Sequence, residues 1–213
     1  RKARKMLDDA GWETATITVS NSLDEYIIRD MWMQDAKIDA FGVGERLITA
    51  RSEPVFGCVY KLVAVEDEKG NIIPKIKISE NVGKITTPHF KKLYRFYGRD
   101  TGKAIADYIC VHDETVDDSD KIMIFDPEAT WKRKEVYHFH ARELLVPIFK
   151  NGKLVYQQPP LEEVRRYCAE QVDTLWDEVK RFDNPHKYNV DLSQKLYDIK
   201  QELLNQNSVG VAE

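Results

Sequence analysis

Lys37-Ile38-Asp39-Ala40-Phe41-Gly42-Val43-Gly44-Glu45 is a short strand pattern that runs directly into a Gly-x-Gly turn. Upstream of it, Ala15-Thr16-Ile17-Thr18-Val19 is a β-branched strand leading into Ser20-Asn21-Ser22, residues with good helix N-cap chemistry. Between the two, Leu23 to Ala36 carries Leu23, Tyr26, Ile27, Met31 and Met33 as the apolar positions of a predicted helix. Strand, helix and strand in this order predict parallel strands with right-handed crossovers, as in a barrel or an open α/β sheet. Ligands in both architectures gather at the C-terminal strand ends, here Ser20-Asn21-Ser22 and Gly42-Val43-Gly44. Glycine admits positive φ and lets a ligand approach the backbone, and successive amides of such a turn can chelate phosphate oxygens. Taken alone, Gly-x-Gly is more simply a tight turn leaving a buried strand. Neither the dinucleotide fingerprint nor the Lys-Ser/Thr phosphate loop is complete here.

Outward from this region the rhythm changes. Met6, Leu7 and Ala10 form a helical pattern stopped by Gly11, and the chain opens on Arg1 within it, which is read as a piece of a longer polypeptide. From Val55 to Val65 the residues favour strand, and Ile72 to Ile78, Lys92 to Tyr97, Ala106 to Val111, Lys121 to Phe125 and Val136 to His140 follow. Leu161 to Phe182 and a segment after Asp191 are helical in pattern, with Asn205 to Glu213 as a frayed tail. The expected fold class is α/β: the terminal β/α units of an irregular α/β barrel in residues 1–52, a β-rich module in 53–157, and C-terminal helices in 158–213.

The 213 residues are 42% hydrophobic and 32% charged, a globular composition with a heavily charged surface. A net charge of −4 argues against nucleic acid as the main partner, and no apolar run approaches the ~20 residues that span a bilayer. Cys58, Cys110 and Cys168 are odd in number and far apart, so a reducing, cytoplasmic setting is expected.

The strand-and-turn segment extended to Ala50, together with Ser20-Asn21-Ser22-Leu23-Asp24-Glu25-Tyr26, resembles the phosphate-binding region of nicotinate phosphoribosyltransferases. The resemblance continues in order through Gly57-Cys58-Val59-Tyr60-Lys61-Leu62-Val63-Ala64, Pro74-Lys75-Ile76-Lys77-Ile78, His140-Ala141-Arg142-Glu143-Leu144 and Asp191-Leu192-Ser193-Gln194. It implies an enzyme that condenses nicotinate with phosphoribosyl pyrophosphate to nicotinate mononucleotide and pyrophosphate in NAD salvage. ATP and magnesium are implied for the full-length enzyme, as is a homodimer whose active site draws on both subunits. The 5′-phosphate and ribose would meet Ser20, Asn21, Gly42, Gly44 and Glu45. Many family members carry Thr where this chain has Glu45, and a carboxylate repels a phosphate. Glu45 is therefore expected to offer only its amide, its side chain outward or paired with Arg46. The phosphorylated histidine and the nicotinate-binding arginine of the family are expected upstream of Arg1. No residue here is assigned a catalytic or metal-binding role, and the fragment alone is expected to be inactive.

Alternative readings are a non-catalytic assembly module and part of another phosphosugar-binding α/β-barrel enzyme. His138 and His140, on one face of a strand, could join Cys110 and His112 around zinc, although a solvent-facing polar strand is the simpler reading. Phe90, Tyr94, Phe96 and Tyr97 interleave with Lys91, Lys92 and Arg95, a pattern that binds single strands or, more commonly, packs aromatics on a core.

Overall fold

Helix α1 spans Lys2–Asp9 and ends through Ala10 at Gly11, whose φ of +82° turns the chain. The computed structural model describes residues 1–208, and contacts group them into two units, Arg1–Tyr60 and a second beginning at Lys61. In the first unit, β1 (Thr18–Ser20) and β2 (Ala40–Gly42) pair in parallel, Ser20 opposite Gly42. They are joined through α2 (Glu25–Met33), and a one-turn helix, α3 (Glu45–Ile48), follows β2. The predicted strand–helix–strand order is therefore present, with a shorter helix. Its cap is Asp24, whose carboxylate accepts the Ile27 amide at 2.9 Å, and not Ser20-Asn21-Ser22. Asn21 and Ser22 instead take φ of +108° and +50° and swing the chain away from the strand end.

In the second unit, β3 (Ala64–Glu66) and β4 (Ile72–Pro74) form a hairpin over a turn in which Asp67 accepts the Lys69 and Asn71 amides. Only the last part of the expected Val55–Val65 strand pairs. β-Propensity expresses itself through packing on a neighbouring strand, and Val55, Phe56, Val59 and Tyr60 are exposed. Next come β5 (Lys91–Gly98), β6 (Ala104–Val111), β7 (Ile122–Phe125), β8 (Arg133–Val136) and β9 (Phe139–Glu143). β7 and β8 form a separate antiparallel pair. The expected Val136–His140 strand is broken at His138, whose φ of +53° separates β8 from β9. A small hairpin follows, β10 (Phe149–Lys150) and β11 (Lys153–Leu154), turned by Asn151 and Gly152, both at positive φ.

Helix α4 (Leu161–Asp173) is shorter than the Leu161–Phe182 pattern, and its apolar residues Leu161, Val164, Tyr167 and Val172 are exposed. β12 (Val190–Leu192) then adds in parallel to β6, giving the sheet order β12-β6-β5-β9. The helical pattern after Asp191 is expected to include Leu192, yet Leu192 is still a strand residue and α5 runs Gln194–Ser208. The cap is Ser193, whose hydroxyl accepts the Leu196 amide at 3.1 Å while donating to the Glu114 carboxylate at 2.7 Å. Asn205 to Ser208, expected to fray, are helical; the rest of that tail lies outside the described residues.

Phe96, Tyr108, Phe139, Ile124 and Val136 make the main core, and Val111, Leu192 and Leu196 a second cluster under α5. The aromatics of β5 thus divide: Phe96 is core, Tyr94 packs at its margin, and Phe90 stays exposed. The neighbouring cations are used internally, Lys91 by the carbonyls of Thr87, Pro88 and His89, Lys92 by that of Glu114, and Arg95 by Asp107.

Asp191 is buried in this arrangement, and burial, together with the nearby Asp126 charge, pushes its carboxyl up to about 6 against Lys187, which acts the other way. The folded state then holds an extra proton between pH 3.8 and about 6, so this group's stabilising contribution falls as pH rises through that window. Asp191→Asn should therefore raise the melting temperature more at pH 7 than at pH 4. Equal gains at both values would remove Asp191 as the source.

Candidate functional site

The parallel register brings the C-terminal ends of β1 and β2 side by side, and the Ser20 hydroxyl donates to the Gly42 carbonyl at 3.1 Å. Space at Gly42 is tight. A Cβ there would stand 3.1 Å from the Ser20 oxygen and 3.2 Å from its Cβ. Neither Gly42 nor Gly44 uses the positive φ that glycine admits; Gly44 lies at φ −107°, with open space where a side chain would project. Close approach, and not a left-handed backbone, is what glycine supplies here.

Beyond Gly44 the chain closes into α3. The Leu47 and Ile48 amides both reach the Gly44 carbonyl at 3.1 Å, which leaves the Glu45 and Arg46 amides with no acceptor inside the turn. Beside this turn is a cavity of about 280 Å³ that Ser20, Asn21, Gly42, Gly44 and Glu45 all line. All five residues singled out from the sequence are thus brought together.

Roles for Asp24 and Arg51 were not anticipated, and Arg46 was expected only as a partner for Glu45. Arg46 and Arg51 also line the cavity. Arg46 pairs with Asp24 and not with Glu45, whose side chain is exposed. The Ile27 amide, and after it Arg46, hold the Asp24 carboxyl below the usual carboxylate range. Asp24 therefore does two jobs, capping α2 and tying the loop after β1 to the turn after β2. A signal for it existed in the sequence, since Asp24 stands three residues before Ile27, but the Ser20-Asn21-Ser22 run offered the same cap chemistry.

The histidines of the metal reading separate. His138, between strands, meets Asp100 at 3.0 Å, and His140, in β9, meets Asp118 at 3.0 Å. Among the described residues no group of three or more His, Cys, Asp or Glu side chains is placed to hold a metal ion. No helix among them is long and apolar enough to cross a membrane.

Comparison with known proteins gives these features a context. A nicotinate phosphoribosyltransferase from Bacillus subtilis (strain 168) is 41% identical over 206 residues, covering 97% of this chain and 42% of that protein. One from Caenorhabditis elegans is 35% identical over 199 residues, covering 92% of this chain and 34% of the relative. The chain thus spans less than half the length of these curated relatives. The crystal structure of human nicotinic acid phosphoribosyltransferase superposes with a TM-score of 0.65 over 98% of this chain and 36% of that one. At 23% identity that likeness speaks to the fold alone. The family model described as the nicotinate phosphoribosyltransferase C-terminal domain matches residues 90–200, just over half of the 213, and on that match the chain belongs to the nicotinate phosphoribosyltransferase family.

Proposed function

We propose that this chain is the C-terminal part of an enzyme that condenses nicotinate with phosphoribosyl pyrophosphate, and that its cavity holds the 5′-phosphate of the ribosyl group. The observation that carries the reading is the convergence of Ser20, Asn21, Gly42, Gly44 and Glu45 on one cavity, beside a turn whose Glu45 and Arg46 amides have no backbone acceptor. Such amides present N–H donors to phosphate oxygens at no cost in side-chain ordering. Glu45 contributes its amide while its carboxylate stays in solvent, which keeps like charges apart.

In this reading the pair β1 and β2 with α2 belongs to an irregular α/β barrel that longer relatives complete. The protein works in the cytoplasm, and the exposed apolar side of α4 supports a role in assembling a homodimer. ATP would drive the reaction, with magnesium accompanying the phosphates. What this chain contributes in this reading is binding and orientation of the sugar phosphate. None of the five histidines is given the phosphoryl-accepting role.

Two measurements test this. Titration of the isotope-labelled chain with ribose 5-phosphate should shift the Gly44, Glu45 and Arg46 amide resonances before others. Unmoved resonances at these positions under saturating ligand would sink the cavity assignment. The 213 residues alone should form no nicotinate mononucleotide above a no-enzyme control; turnover by them would show that a catalytic group lies within this chain.

A further inference from the structure

We propose that Arg51 is the side chain that reads the charge of the bound phosphate, selecting a phosphate monoester over uncharged sugars; the inference rests on the cavity reading above. The charges around the cavity single it out. Arg46 is neutralised by Asp24, an ion pair that also fixes its direction. Glu45 carries the wrong sign, and the turn amides bring dipoles without net charge. Arg51 lines the same cavity and has no acidic partner within 4 Å among the described residues. A guanidinium presents a planar fork of donors that matches two phosphate oxygens at once, and its charge is permanent.

The backbone explains how a residue past the far end of α3 serves a cavity at its near end. The Ala50 amide donates to the Leu47 carbonyl and the Arg51 amide to the Arg46 carbonyl, each at 3.1 Å. That pair of bonds is a Schellman turn, with Ala50 in the left-handed position at φ +45°. The position normally takes glycine, because a Cβ is disfavoured there. Here the turn bends the chain back against a helix only four residues long, about 6 Å of rise. Arg51 consequently begins its side chain beside Arg46 and not a helix length away.

The test compares the chain with Arg51→Gln and Arg51→Lys in titrations with ribose 5-phosphate and with ribose, read at the Gly44 and Glu45 amides. Arg51→Gln should weaken ribose 5-phosphate binding about 10-fold or more, with ribose binding unchanged. Arg51→Lys, which keeps charge but loses the fork, should fall between the two. Equal affinity of Arg51→Gln and the parent chain for ribose 5-phosphate overturns the assignment while leaving the cavity reading intact. If the parent chain itself shows no shift at these amides, both fall together. Loss of the dispersed resonances of residues 15–50 in Arg51→Gln would assign Arg51 a structural role and also overturn the proposal.

Discussion

Replacing Asp107 with alanine is expected to destabilise the chain by about 3–5 kcal/mol, read from the urea unfolding midpoint. Asp107 in β6 lies directly opposite Arg95 in β5. Their pairing is bidentate, Nε to Oδ1 at 2.7 Å and Nη2 to Oδ2 at 2.9 Å, and the Tyr188 hydroxyl donates to the same Oδ1 at 3.0 Å. The side chains are 20% and 11% exposed, so water compensates little for a lost partner. Asp107 holds the Arg95 guanidinium further above its ordinary range, and burial followed by the Asp107 charge raises the Tyr188 hydroxyl as well. Alanine at 107 would leave both groups poorly solvated and without an acceptor. Asp107→Asn keeps a carbonyl for Tyr188 and should cost less, about 1–3 kcal/mol. Exchanging Arg95 and Asp107 together for apolar residues should recover much of the single-mutant loss, because the penalty comes from an orphaned charge more than from a lost attraction. An Asp107→Ala variant within 1 kcal/mol of the parent chain would show that water reaches Arg95 more freely than its 20% exposure indicates.

The same network shows where reading the residues in order stops working. Strands β5 and β6 are legible because each has eight residues of β-forming pattern bounded by turn residues. β12 is not, since three residues cannot display a period of two, and Asp191-Leu192-Ser193 reads equally as the start of a helix. What makes it a strand is the edge of β6, more than seventy residues earlier in the chain. His138 misleads in the opposite sense: its neighbours favour strand, and a local φ of +53° breaks it. Around the cavity, the element order points only to the strand ends Ser20-Asn21-Ser22 and Gly42-Val43-Gly44, and it is the family resemblance that singles out Ser20, Asn21, Gly42, Gly44 and Glu45. Arg51 obeys no such rule. Its place depends on a left-handed Ala50, and nothing in Thr49-Ala50-Arg51 advertises that turn as glycine would.

Phe139→Ala should cost about 3–5 kcal/mol by the same urea measurement. The ring is fully buried at the start of β9, with its centroid 4.6 Å from that of Phe96, which in turn stacks on Tyr108 at 5.4 Å. Ala106, Cys110, Ile124 and Val136 close the cluster, drawing on the four-stranded sheet and the β7–β8 pair. Small residues such as Ala106 cannot extend to refill the space, and side chains held by strand backbones relax only partly, so the cavity adds to the lost transfer energy. Two comparisons separate packing from mere hydrophobicity. Ile124→Val in the same cluster removes one methylene and should cost only about 0.5–1.5 kcal/mol. Leu161→Ala deletes an apolar side chain from α4 at a site 71% exposed, and should change stability by less than about 0.5 kcal/mol. If Phe139→Ala and Leu161→Ala lowered stability equally, the cluster around Phe96 would not be what holds the second unit together.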